Sequence, residues 1–281
     1  MNDWPLLRKY LDDASEPAFE ALVRRHVDMV YSTALRQVRD THLAEDVTQA
    51  VFVLLARKAP RLSSGVVVGG WLYNTACLVA KRAVRDQIRR QLHEKELAAM
   101  HPNTPTDDLW ERLAPEVDGA ISSLGDTDRN AIVLRYLQRR SFQEVAGALG
   151  VSEDTAKKRV QRALEKLRDV LLRRGMQVSA GAISASLAAN GLQAAPDSLA
   201  TAAVTAGSSA GGAASSVVAA LVAGTMRDIL IRRMQWSAAL VGLALLVGTA
   251  VVVMPRQQQS RAMSQRAAPA RQMAATETNS I

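Results

Sequence analysis

The sequence predicts an all-α protein: two small helical domains joined by a linker, then a low-complexity C-terminal extension with one transmembrane helix. Three observations carry this reading. Apolar residues recur at helical spacing through the first 175 residues, with no strand-type alternation of any length. Two helix-start signals, Ser141 and Ser152, lie eleven residues apart with Gly150 between them. Trp236 to Met254 runs nineteen residues without a charge.

The first domain spans residues 4–98. Phe19, Leu22, Val23, Val27, Val30, Tyr31, Ala34 and Leu35 form the inward face of one helix. Asp40-Thr41-His42 interrupts it, and a second helix runs from about Leu43 to Lys58. Pro60 ends that helix, since proline lacks an amide donor and disfavours helix in the residue before it. Arg61 to Gly70 is a loop with glycines around a valine run, and Trp71 opens a long helix to about Leu97. This last helix is apolar at its start and basic later. Lys81, Arg82, Arg85, Arg89 and Arg90 fall within ten residues opposed only by Asp86.

Residues 99–114 form the linker, with two prolines in HPNTPTDD from His101 to Asp108. The second domain, 115–175, begins at Pro115; Asp126 or Thr127 caps its middle helix, which carries Ile132, Val133, Tyr136 and Leu137. Its end is the most informative stretch of the chain. Ser141 and Glu144 make a capping box, Val145, Ala146 and Leu149 face inward, and Gly150 supplies the left-handed reversal. Ser152 caps the next helix, with Glu153 and Asp154 in the first turn where the helix dipole favours negative charge. Ala156, Val160, Ala163, Leu164 and Leu167 form its apolar stripe, leaving Lys157, Lys158, Arg159, Arg162 and Arg168 largely outside. This is a helix-turn-helix with a basic outer face.

Composition excludes more than it specifies. There are 35 Lys+Arg against 27 Asp+Glu, a net charge of +8, and the excess is concentrated in two helices. Two basic helices imply two contacts with nucleic-acid phosphates. The single cysteine, Cys77, can form neither an internal disulfide nor a cysteine-based zinc site, which suits a reducing cytoplasm and a small core residue. His26, His42, His93 and His101 have no metal-ligand spacing, and Glu45-Asp46 has no partnered histidine. No glycine-rich phosphate loop or nucleophile motif is present. No catalytic residue, metal site or cofactor is expected, and nothing points to an enzyme.

Residues 176–235 read as an Ala/Ser/Gly-rich linker whose only charge between Met176 and Met226 is Asp197. Short helices fit Ala180–Ala189 and Ser216–Gly224, but the glycines and scarcity of large side chains argue against a well-packed core. The span at 236–254 is roughly 28 Å long as a helix, close to the hydrocarbon thickness of a bilayer. Trp236 sits at its edge, and a polar tail, 255–281, follows. Arg227, Arg232 and Arg233 precede the span while Arg256, Arg261 and Arg266 follow it, so charge does not orient it. The DNA-binding reading does: the N-terminal domains stay cytoplasmic, anchored to the inner membrane by a single-pass helix.

Three blocks together resemble the extracytoplasmic-function sigma factors, small two-domain specificity subunits of bacterial RNA polymerase. They are HLAEDVTQAVFVLLARK (42–58), GGWLYNTACLVAKRAVRDQIRR (69–90) and the helix-turn-helix within 129–168. The resemblance covers about residues 4–174 and is closest to variants with long C-terminal extensions. It implies core bacterial RNA polymerase and promoter DNA as partners, and it admits an anti-sigma protein. It places polymerase docking on Asp46, Val47, Gln49 and Phe52. The loop at about Leu62 to Gly70 would hold an extruded minus-ten base, with Asn74 reading a base and Lys81, Arg82, Arg85 and Arg89 on phosphates. Ser152, Thr155, Lys158, Arg159 and Arg162 would reach minus-thirty-five base edges, with Lys157 and Arg168 on phosphates. The extension would act as an in-cis regulator. The alternative is a one-component membrane-anchored helix-turn-helix regulator, which leaves the helix of Gly69 to Arg90 and the Asp46 block without a purpose.

Overall fold

A computed structural model describes residues 3–94, 109–208 and 215–228, and every regular element among them is helical. The first domain contains α1 (Trp4–Asp13), α2 (Glu16–Val38), α3 (Thr41–Lys58) and α4 (Val68–Glu94). Helices α2, α3 and α4 pack on one another. Phe19, Leu22 and Val30 of α2, Val51 and Leu55 of α3, and Leu72, Tyr73 and Val79 of α4 are fully buried. Asp40 caps α3 by accepting a bond from the Leu43 amide at 2.8 Å, which starts that helix at Thr41. Helix α4 begins at Val68, ahead of Trp71, so the end of the valine run is helical and Val68 is core.

The second domain contains α5 (Leu109–Ser123), α6 (Asp126–Ile132), α7 (Phe142–Leu149) and α8 (Glu153–Arg173). Its first helix departs from the expected start, because Pro115 lies inside α5 rather than opening it. Proline removes the bond to the carbonyl of Glu111, and both residues are exposed, which leaves that carbonyl within reach of solvent. Helix α5 therefore extends back through residues 109–114. The N-cap of α6 is Gly125 instead of Asp126 or Thr127, and α6 runs on into a π-helical turn, Val133–Leu137.

The helix-turn-helix forms as expected, down to its local bonds. Ser141 Oγ accepts from the Glu144 amide at 3.2 Å, and Glu144 Oε2 accepts from the Ser141 amide at 2.9 Å. Gly150 takes a left-handed φ of 65° as the C-cap of α7, and Ser152 caps α8. Ala156, Val160, Ala163, Leu164 and Leu167 are buried.

The extension corrects the sequence reading. In place of an unpacked linker, its described residues form α9 (Ala180–Asn190), α10 (Asp197–Ser208) and a last helix, α11, over residues 216–228. Ile183, Leu187, Leu199, Val204, Val218, Leu221 and Val222 are buried, each contributing about 1.5–3 kcal/mol as an upper estimate. Helix α10 packs along α3 and also against α2. A small residue lets α10 approach α2: a Cβ at Gly207 would strike the ring of Phe19.

Residues 1–225 form one compact unit in which the two domains pack together. Among the described residues no helix is long and apolar enough to cross a membrane. The span at 236–254, the tail at 255–281 and the linker through 108 lie outside the described residues.

Candidate functional site

The basic part of α4 presents Lys81, Arg85 and Arg89, four residues apart, on its exposed side, while Ala76, Val79, Ala80 and Ala83 face the core. Arg89 pairs with Asp86 at 3.0 Å yet is 72% exposed, leaving it available to a phosphate. Arg82 is different. Its side chain is 14% exposed and lies 3.4 Å from Asp86. Gly224 of α11 packs so closely on its guanidinium that a side chain there would collide with it. Asn74 is half-buried.

The loop before α4 is held from two sides. Trp4 Nε1 donates to the Val66 carbonyl at 2.9 Å. Across a cavity of about 280 Å³, Gly65, Val66 and Val67 face Glu144, Ala148 and Gly150 of the helix-turn-helix. The expected base pocket thus opens toward the second domain.

On α3 the expected docking residues divide. Asp46 and Gln49 are half-buried at the surface, whereas Val47 and Phe52 are fully buried. The last two therefore serve the core of the first domain, and of the four expected docking residues only the polar pair reaches the surface. Asp46 is itself engaged by the extension: Ser215 Oγ donates to its Oδ1 at 3.3 Å. Burial raises the Asp46 carboxyl above its ordinary range, with the Ser215 bond opposing.

In the second domain, Ser152, Thr155, Lys157, Lys158 and Arg162 are exposed on the outer face of α8. Ser152 and Thr155 bond each other through their hydroxyls at 2.8 Å, so both also maintain the cap. Lys157 is tied to Glu153 at 2.8 Å, while Arg162 is 61% exposed and no closer than 3.9 Å to Asp128. Arg159 is half-buried, and its Nε has no hydrogen-bond partner among the described residues. Arg168 pairs with Glu165 at 2.7 Å and Asp169 at 2.9 Å. Sequence reasoning did not find Arg135, whose guanidinium stacks 4.7 Å above the Phe142 ring at the base of α7.

It also missed the residues that join the parts. Arg36 of α2 grips Asp118 of α5 through Nε at 2.8 Å and Nη2 at 3.0 Å. The Tyr73 hydroxyl donates to Asp118 Oδ1 at 2.9 Å, and the Arg36 Nη1 donates to the Gly191 carbonyl at 2.8 Å. Burial would lower the Arg36 pKa, but the Asp118 charge beside it raises it; burial, then that same charge, push Tyr73 well up. His26, fully buried, lies 3.1 Å from Asp3 and 3.2 Å from Gln138 Nε2. Cys77 is core, its thiol pushed up to about 11 chiefly by burial. Among the described residues no cluster of histidine, cysteine and acidic side chains could hold a metal.

An all-α chain that carries a helix-turn-helix on one domain and a basic helix on another is a two-domain DNA-binding protein. Comparison with known proteins sharpens the class. Residues 22–92 match the model of Sigma-70 region 2, and residues 120–169 match Sigma-70 region 4. The RNA polymerase sigma factor CarQ of Myxococcus xanthus is 33% identical over 164 residues, covering 57% of this chain and 92% of CarQ. The ECF RNA polymerase sigma factor SigE of Mycolicibacterium smegmatis is 29% identical, over 61% of this chain and 68% of SigE. SigW of Bacillus subtilis is 25% identical, over 58% of this chain and 94% of SigW. The chain belongs to the extracytoplasmic-function family of RNA polymerase sigma factors, which are non-enzymatic transcription initiation factors. That membership displaces the one-component regulator, and the stretch from Gly69 to Arg90 lies within the Sigma-70 region 2 match.

Proposed function

We propose that this sigma factor reads its promoters with two separate surfaces and is held at the inner membrane by residues 236–254. The upstream element meets α8, where Ser152, Thr155, Lys158, Arg159 and Arg162 approach base edges and Lys157 a phosphate. The downstream element opens along α4, with Lys81, Arg82, Arg85 and Arg89 on the strand and Asn74 at a base. Asp46 and Gln49 meet core polymerase. The observation that carries this is the pair of exposed basic faces: Lys81, Arg85 and Arg89 on one domain, Lys157, Lys158 and Arg162 on the other. One face suffices for a simple DNA-binding module; two on separate domains suit two promoter elements. The uncharged run from Trp236 to Met254 supports the tether.

Run-off transcription tests the reading, using the full chain at saturating concentration, core bacterial RNA polymerase and a genomic promoter pool. Discrete transcripts that vanish without the protein are expected. Sequence-specific duplex binding with no transcripts would sink it. Membrane fractionation tests the tether separately, since a chain recovered wholly in the soluble fraction is not anchored.

A further inference from the structure

We propose that the extension is a built-in occluder: its described residues 191–208 and 215–225 cover the surface of the first domain that core polymerase and the promoter strand must reach. This rests on the docking reading of α3 given above and names what controls it.

The grip begins on α2. Asp28, Ser32 and Arg36 are spaced by four, which sets them in a row along one face of the helix. Each holds the backbone of the segment between α9 and α10. Asp28 Oδ1 accepts from the Ala195 amide at 2.9 Å. Ser32 Oγ accepts from the Gln193 amide at 2.6 Å and donates to the Gln193 carbonyl at 2.8 Å. Arg36 Nη1 donates to the Gly191 carbonyl at 2.8 Å. Three consecutive turns of one helix thus clamp a strap of five residues, Gly191 to Ala195.

From the strap the chain runs over α3. Helix α10 lies along it, Gly207 packs against Phe19, and Ser215 reaches Asp46. Nine residues later Gly224 sits on the guanidinium of Arg82. The helix over residues 216–228 and Ser215 just before it therefore touch both a proposed polymerase contact and a proposed phosphate contact. A ligand needing either must move them.

The strap also bears on domain spacing. The guanidinium that holds Gly191 holds Asp118 of the second domain, and Tyr73 bonds the same carboxylate. In this closed form the two domains are packed together through α2, α4, α5 and α6. Apparent affinity for polymerase then falls by the fraction of molecules that are open. Small side chains and the single charge Asp197 between Met176 and Met226 suit a cover that can be displaced.

A reversible lock tests this in the full chain, in detergent. Asp28→Cys with Ala195→Cys places a disulfide where the strap meets α2, and the buried Cys77 stays out of exchange. The readout is the Kd for core polymerase, with circular dichroism showing that each variant is folded. Oxidation is expected to weaken binding at least 10-fold and reductant to restore it. The loosened variant, Asp28→Ala with Ser32→Ala, is expected to bind about 10-fold tighter than the native chain. Equal Kd values for the oxidised and reduced lock overturn the occluder. A parallel Asp46→Ala variant keeps the two readings apart: if it weakens binding in that case, docking on α3 stands without occlusion. If instead the lock weakens binding and Asp46→Ala does not, the docking face is elsewhere and the proposal falls with it.

Discussion

Arg36 and Asp118, 82 residues apart, form a bidentate ion pair that joins the two domains, with side chains only 8% and 2% exposed. A pair this buried is costly to form and more costly to break, because removing one partner strands the other charge away from water. Asp118→Ala is expected to lower unfolding stability by about 3–5 kcal/mol in urea titrations. The double replacement Arg36→Met with Asp118→Leu should recover much of that loss, since apolar groups of similar volume need no partner. Equal losses in the single and double variants would show that the two residues are not coupled.

Gly69 and Gly70 mark the second place where the domains meet. A Cβ on Gly69 would run into the Gln138 amide and one on Gly70 into Asn130, both in the second domain. Gly70→Val is therefore expected to push the domains apart without unfolding either, at about 1–3 kcal/mol of overpacking. Small-angle scattering should show a larger radius of gyration at unchanged helicity. Gly65→Ala, with open space around its Cβ position, is the matched control and should leave scattering unchanged.

How much of this was legible in the sequence follows from how local each signal is. The helix-turn-helix is written in neighbouring residues: Ser141 with Glu144, Gly150 with its left-handed φ, and Ser152 with Thr155. The stripes of α2 and α8 are periodic and equally readable. Val47 and Phe52 were not, because a polar-apolar helix face does not say which neighbour covers it. The extension was hardest. Its packing depends on Gly207 and Gly224 letting Phe19 and Arg82 approach, and a glycine in a small-residue tract looks the same whether packed or loose. Arg36 and Asp118 carry no pattern at all; only the fold brings them together.

Asp3 gives the first domain an acid sensitivity. Burial favours its neutral form, but bonds and charge from His26 and Arg25 hold its pKa down to about 2, from an ordinary 3.8. A carboxyl depressed by folding stabilises the fold above its unfolded pKa and loses that contribution as pH falls through the folded one. The difference corresponds to about 2 kcal/mol. Stability of the native chain should exceed that of Asp3→Asn by this order near pH 6. The gap should shrink from about pH 4 downward and close about one unit below the folded pKa, near pH 1. A gap still at its full size at pH 2 would mean that the carboxylate is not its source.

The outer face of α8 allows base reading and phosphate contact to be told apart. Arg162 is 61% exposed and 3.9 Å from Asp128, so Arg162→Ala removes a proposed reader with little disturbance of the fold. It should cost about 1–3 kcal/mol on the preferred upstream element and relax selectivity at one position. Lys157 differs because Glu153 already holds its ammonium at 2.8 Å. Lys157→Ala should weaken binding alike on all sequences and lower the salt slope by less than the roughly one unit expected for a free phosphate contact. Arg159 is a poor choice for this comparison: it is half-buried, and truncating it removes packing along with any contact. Binding across a salt series, on the selected element and on variants of it, measures both quantities. If Arg162→Ala lowers affinity equally on every duplex, its role is phosphate contact, and base reading on α8 rests on Lys158 and the residues around the cap.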